Sequence, residues 1–86
     1  MPEISRFLGI IIRMFWNEHN PPHFHAEYGS HKVEIDITNC AVLAGYLPPR
    51  VLGMVIEWAE LHQQELLDNW DSMRTSKHYA KIPPLV

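Results

Sequence analysis

Residues 18–28 read EHNPPHFHAEY and place three histidines, His19, His23 and His25, within seven positions, beside two carboxylates and a double proline. Imidazole is the commonest transition-metal ligand among side chains and the one that exchanges a proton near neutral pH. The stretch therefore suggests either a metal site or an acid/base pair. Side chains at i and i+2 of a strand leave the same face, so His23 and His25 can converge on one ion, at roughly 2.0–2.1 Å for zinc. His19, Glu27 and Asp36 are the candidates to complete such a site, for zinc or another divalent transition metal, although nothing in the spacing demands a cofactor. The acid/base alternative is a metal-independent ribonuclease-type toxin, with His23 and His25 as base and acid and Arg13 on the phosphate. Neighbouring carboxylates would repel such a substrate. The plainest alternative pairs the histidines with Glu27, Glu34 and Asp36 as hydrogen-bonded neighbours.

What positions these groups is a run of short strands. The alternation in HFHAEY (23–28) and KVEIDI (32–37) predicts two strands joined by a turn at GSH. Ahead of them GIIIRMFW (9–16), rich in β-branched and aromatic residues, reads as a strand, and NEHNPP is the connection. CAVLAG after the TN turn is a candidate fourth. Sequential strands with short turns predict an antiparallel meander. The period then changes to that of a helix. Pro48 and Pro49 suit a helix start, where a missing N–H is harmless. Val51, Val55, Trp58, Ala59, His62, Leu66, Trp70 and Met73 share one side at 100° per residue, opposite Glu57, Glu60, Gln64, Asp68 and Asp71. The expected fold is α+β, one domain over 1–86: a three- to four-stranded antiparallel sheet (strands about 4–44) packed on one face by a long C-terminal amphipathic helix (about 48–74). A helix break near 61–63 is the alternative, and an extended tail occupies 77–86.

Strand parity divides the side chains. Phe24, Ala26 and Tyr28, with Val33, Ile35 and Ile37, are expected to face the helix. His23, His25, Glu27, Glu34 and Asp36 then share the uncovered face, and if Arg13 joins them, Ile11 and Phe15 come with it. That mixed face is the candidate interaction surface. His62 is expected to be buried between Trp58 and Leu66 with backbone or carboxylate partners, His19 to support the proline turn, and His31 and His78 to lie on the surface. Cys40 has no neighbouring cation in sequence to activate it.

Composition bounds the rest. With 86 residues, a formal charge of -3 and a pI near 6.0, the chain is ill suited to unselective nucleic-acid binding, which needs a broad cationic surface; a local basic site stays open. A single cysteine excludes an intrachain disulfide and suits a reducing, cytoplasmic setting. The N-terminus lacks signal-peptide character, and the apolar run LGIII stops at Arg13, far short of a membrane span.

ISRFLGIIIRMFWNEHNPPHFHAEY, followed by LPPRVLGMVIEWAELHQQELLDNW, closely resembles a small bacterial family catalogued as domain of unknown function four-one-six-zero, over residues 4–85. NPPHFHA and the pattern formed by Glu57, Trp58, Leu61, His62, Glu65, Leu66, Asn69 and Trp70 carry the likeness. The resemblance implies a short prokaryotic protein whose gene commonly lies beside that of another small uncharacterised domain, as in toxin–antitoxin pairs. It implies no activity, cofactor or catalytic residue. It turns expectation towards a protein-interaction module, one component of a toxin–antitoxin-like pair, binding a small protein from the adjacent gene or a second copy of itself.

Overall fold

In the computed structural model, which describes residues 2–86, five strands precede two helices. They are β1 (Glu3–Phe7), β2 (Ile10–Arg13), β3 (His23–Tyr28), β4 (His31–Asp36), β5 (Val42–Gly45), α1 (Pro49–Leu61) and α2 (Gln63–Thr75). The strands form one antiparallel sheet in the order β1-β2-β3-β4-β5, a simple meander. The fold is thus α+β as its pattern predicts, with two corrections to the first reading: five strands replace three or four, and the single helix is divided in two, at the break near 61–63 that the alternative reading offered.

The extra strand is β1. The segment GIIIRMFW supplies only β2, and the chain ahead of it turns at Leu8–Gly9, both with positive φ (49° and 79°), to pair with it. A register shift between Glu3 and Ser5 interrupts the alternation of β1, which hides its period. The strand is fixed from outside as well. The tail runs past it, with Ile82 N donating to Ile4 O at 3.0 Å and Lys81 Nζ 4.0 Å from Glu3.

The helix breaks at one residue. His62 has φ −120° and ψ 25°, and its N–H is shared between the carbonyls of Trp58 and Ala59. No proline or glycine causes this. Gln63 Nε2 donates to Ile37 O and Thr38 O at 2.8 and 2.7 Å, tying the start of α2 to the chain just after β4. The apolar side survives the break: Val51, Val55, Trp58 and Ala59 of α1 and Leu66, Trp70 and Met73 of α2 are all buried.

The core lies between the helices and one sheet face, which contributes Ile10, Ile12, Phe24, Ala26, Val33 and Ile35. Trp58 is fully buried at its centre, against Phe7 and Phe24 at ring separations of 5.7 and 5.8 Å, and its indole N–H donates to Pro83 O at 2.8 Å. An aromatic this large dominates a thin core only if its polar atom is also satisfied, and the tail satisfies it. Asn69 holds the tail too, exchanging two 2.8 Å hydrogen bonds with Ala80. At the far edge Gly45 (φ 88°) lets β5 approach β4 closely; a Cβ there would lie 2.2 Å from Lys32 O. Among the described residues no helix is long and apolar enough to cross a membrane.

Candidate functional site

The opposite sheet face carries the groups with chemistry. In register, Arg13 lies beside His25 and His25 beside Glu34. Ile11, Arg13, Phe15, His25, Glu27, Glu34 and Asp36 are all half-buried. His23 departs from this pattern. Parity places it on the open side, yet it is only 6% exposed, because the Trp70 ring of α2 lies against it with centroids 5.3 Å apart. Strand parity assigns a face, not a depth, and the helix reaches the ring at the start of β3.

The loop 14–22, which contains a cis Asn20–Pro21 bond, turns Glu18 back over the histidines. Glu18 Oε1 accepts a hydrogen bond from His25 Nε2 at 2.5 Å, and Glu18 Oε2 is 3.6 Å from His23 Nε2. Glu18, His23 and His25 each offer a ligand atom within 4.8 Å of the other two. The His23 and His25 rings meet edge to face at 5.3 Å, and Phe15 packs edgewise on His25 at 4.6 Å.

The tautomer of His23 follows from its partners. Nδ1 lies 2.8 Å from Pro21 O, and a carbonyl only accepts, so Nδ1 carries the proton and donates. Nε2 of the neutral ring is then a bare lone pair. Two carboxylate oxygens flank it, Glu18 Oε2 at 3.6 Å and Glu34 Oε1 at 3.7 Å, both beyond hydrogen-bonding reach. Nε2 is buried without a partner, as among the described residues is one other side-chain atom, Ser5 Oγ in β1. Such an arrangement is unfavourable for a ring with no further task. A histidine whose one ring nitrogen donates to a carbonyl has the other nitrogen held in a fixed direction.

The other sequence candidates are engaged elsewhere. Glu27 accepts from Arg13 Nε at 3.2 Å. Asp36 caps the turn after β4, accepting from Thr38 N at 2.7 Å and Asn39 N at 3.4 Å. His19 is exposed and outside the cluster. The third member is therefore Glu18, not Glu27, Asp36 or His19, and the carboxylate paired with His25 is Glu18 rather than Glu27, Glu34 or Asp36. Glu18 could have been found from its place five residues ahead of the H-x-H pair, across a loop narrowed by two prolines; alternation cannot reach it. The acid/base trio is not assembled as expected, since Arg13 is held by Glu27 and His23 has no open nitrogen facing solvent.

His62 is half-buried at the helix break, not sealed in the stripe; its Nδ1 meets Glu65 at 2.6 Å and its ring meets Trp58 at 5.6 Å. His31 packs on Tyr46 at 5.6 Å, and His78 is exposed. Burial pushes the Cys40 thiol above its usual range, with Glu60 and Asp36 adding repulsion, so it is a poor nucleophile at neutral pH.

A family model described as Domain of unknown function (DUF4160) matches residues 9–71, a narrower span than the resemblance, holding Glu18, His23 and His25 but neither β1 nor the tail. Comparison with curated proteins and with solved structures finds no match.

Proposed function

The chain belongs to the DUF4160 family, a domain of unknown function, and from its geometry we propose that it binds a divalent transition metal through Glu18, His23 and His25. The observation that carries this is the buried, unpartnered Nε2 of His23, aimed by the Nδ1–Pro21 hydrogen bond at the same space as His25 Nε2 and the Glu18 carboxylate. Tetrahedral bonds of roughly 2.0–2.1 Å separate ligand atoms by about 3.4 Å, close to the 3.6 Å between His23 Nε2 and Glu18 Oε2. Two imidazoles and one carboxylate suit zinc, nickel, copper or ferrous iron better than magnesium or calcium, which prefer all-oxygen ligands. Three protein ligands also leave a coordination position open, as catalytic sites do and structural ones do not. An ion would displace the proton that His25 now shares with Glu18.

Equilibrium dialysis with zinc, nickel and manganese tests this. One equivalent of zinc or nickel should be retained, and manganese more weakly, following the stability order of divalent ions. Glu18→Gln and His25→Ala should each weaken retention by roughly tenfold or more, whereas Glu27→Gln should not. No retained ion at micromolar protein overturns the proposal.

A second reading, that of a protein-interaction module in a toxin–antitoxin-like pair, draws support from β5, whose Val42, Leu43 and neighbouring Tyr46 are exposed along an edge without charge or proline. Such an edge invites a partner strand. Light scattering of the protein, alone and mixed with the product of the adjacent gene, tests it; a monomer in both cases counts against it.

A further inference from the structure

A groove adjoins the Glu18–His23–His25 cluster at His25. A cavity of about 210 Å³ between β4 and β5 is lined by His25, Lys32, Val33, Glu34, Ala44 and Gly45. His25 belongs to both cluster and groove, and Glu34, also on its wall, brings Oε1 to 3.7 Å from His23 Nε2. The groove exists because the β4–β5 register shifts between Glu34 and Ile35 and because the short residues Ala44 and Gly45 form its outer wall. Its volume is below the roughly 300–1,000 Å³ of sites for drug-sized ligands, so it suits a small molecule. Ala44 and Gly45, with the backbone of Val33, leave its lining largely apolar, and Lys32 supplies one exposed ammonium.

Charge narrows the ligand further. Two neutral imidazoles and the Glu18 carboxylate leave a bound divalent ion one formal unit positive. Of the charged groups lining the groove, Glu34 offsets that unit and Lys32 restores it. The loaded site is therefore matched to a monoanion. A lone ammonium is a point charge without the forked donors that favour phosphate, and the largely apolar lining favours a carbon skeleton behind the charged head.

We infer that the metal-loaded protein binds a small carboxylate, its head on the open coordination position beside Lys32 and its apolar body in the groove between β4 and β5. This rests on the metal proposal above. Cobalt(II) substitution separates the two, because the visible absorption of the ion reports first its binding and then any change of its ligands. The cobalt-loaded protein is titrated with acetate, benzoate, benzyl alcohol and inorganic phosphate. Benzoate should shift the spectrum saturably and roughly tenfold or more tighter than acetate, through its buried ring, and benzyl alcohol should leave the spectrum unmoved. Lys32→Met should weaken benzoate by about five-fold, the ceiling for an exposed charge pair, with cobalt affinity unchanged. Failure to retain cobalt overturns both proposals. Cobalt retained with a spectrum indifferent to carboxylates, or equal affinity for acetate and benzoate, or an unchanged affinity in Lys32→Met, overturns the carboxylate alone. Phosphate binding in place of benzoate overturns it equally.

Discussion

Replacing His23 by phenylalanine should move two quantities in opposite directions. A buried nitrogen without a partner costs about 1–3 kcal/mol, and the hydrogen bond from Nδ1 to Pro21 returns about 0.5–1.5 kcal/mol. Phenylalanine removes both while keeping a ring against Trp70, now 5.3 Å away, and Pro21 is exposed, so its carbonyl regains water. The metal-free variant should lie between about 0.5 kcal/mol less and about 2.5 kcal/mol more stable than the parent, centred on a gain of about 1 kcal/mol. For a domain of 86 residues that gain raises Tm by about 4–8 °C. Zinc reverses the ranking. At roughly a hundred times Kd a ligand specific for the folded state adds about 2.7 kcal/mol, which the parent should show and His23→Phe should lack. Thermal unfolding by circular dichroism, with chelator and with zinc, reads all four states. A parent whose Tm ignores zinc, or a variant that still responds to it, refutes the ligand assignment. A metal-free variant less stable by more than about 2 kcal/mol refutes the claim that the orphaned nitrogen is a burden.

Gly45→Ala should destabilise the fold by roughly 1–3 kcal/mol in urea titration, through both a left-handed φ and the collision of its Cβ with Lys32 O; an unchanged midpoint would show that β5 gives way freely. Cys40 should react with iodoacetamide more slowly at neutral pH than an unstructured cysteine. With its pKa raised, first by burial and then by Glu60 and Asp36, the thiolate fraction is smaller at every pH below the shifted value, and the pH–rate midpoint should lie on the alkaline side of the free thiol's; a midpoint at or below the free thiol's contradicts that environment.

Strand period and helix phase were readable wherever one face is buried and the other is not. HFHAEY coincides with β3, and the apolar stripe from Val51 to Met73 is the buried side of both helices, with only His62 half out. β1 was hidden because EISRF is short and its alternation is interrupted by a register shift. The break at His62 falls where the alternative reading put it, near 61–63, but the continuous buried stripe could not choose it over one long helix, because Gln63 bonding to carbonyls some 25 residues earlier is tertiary. The site was half legible. Alternation put His23 and His25 side by side, but Glu18 comes from a loop, where period says nothing, and the burial of His23 depends on Trp70, 47 positions on.

The two borders of the sheet have different fates. At one, residue 82 lies against Ile4, so a later stretch of the same chain occupies the place a neighbouring molecule would take, while among the described residues no strand pairs beyond β5. Lateral growth from molecule to molecule needs two adhesive margins, one to receive and one to extend. With only one on offer, any side-by-side joining of copies terminates at a pair, and a fibre would first have to peel that later stretch away.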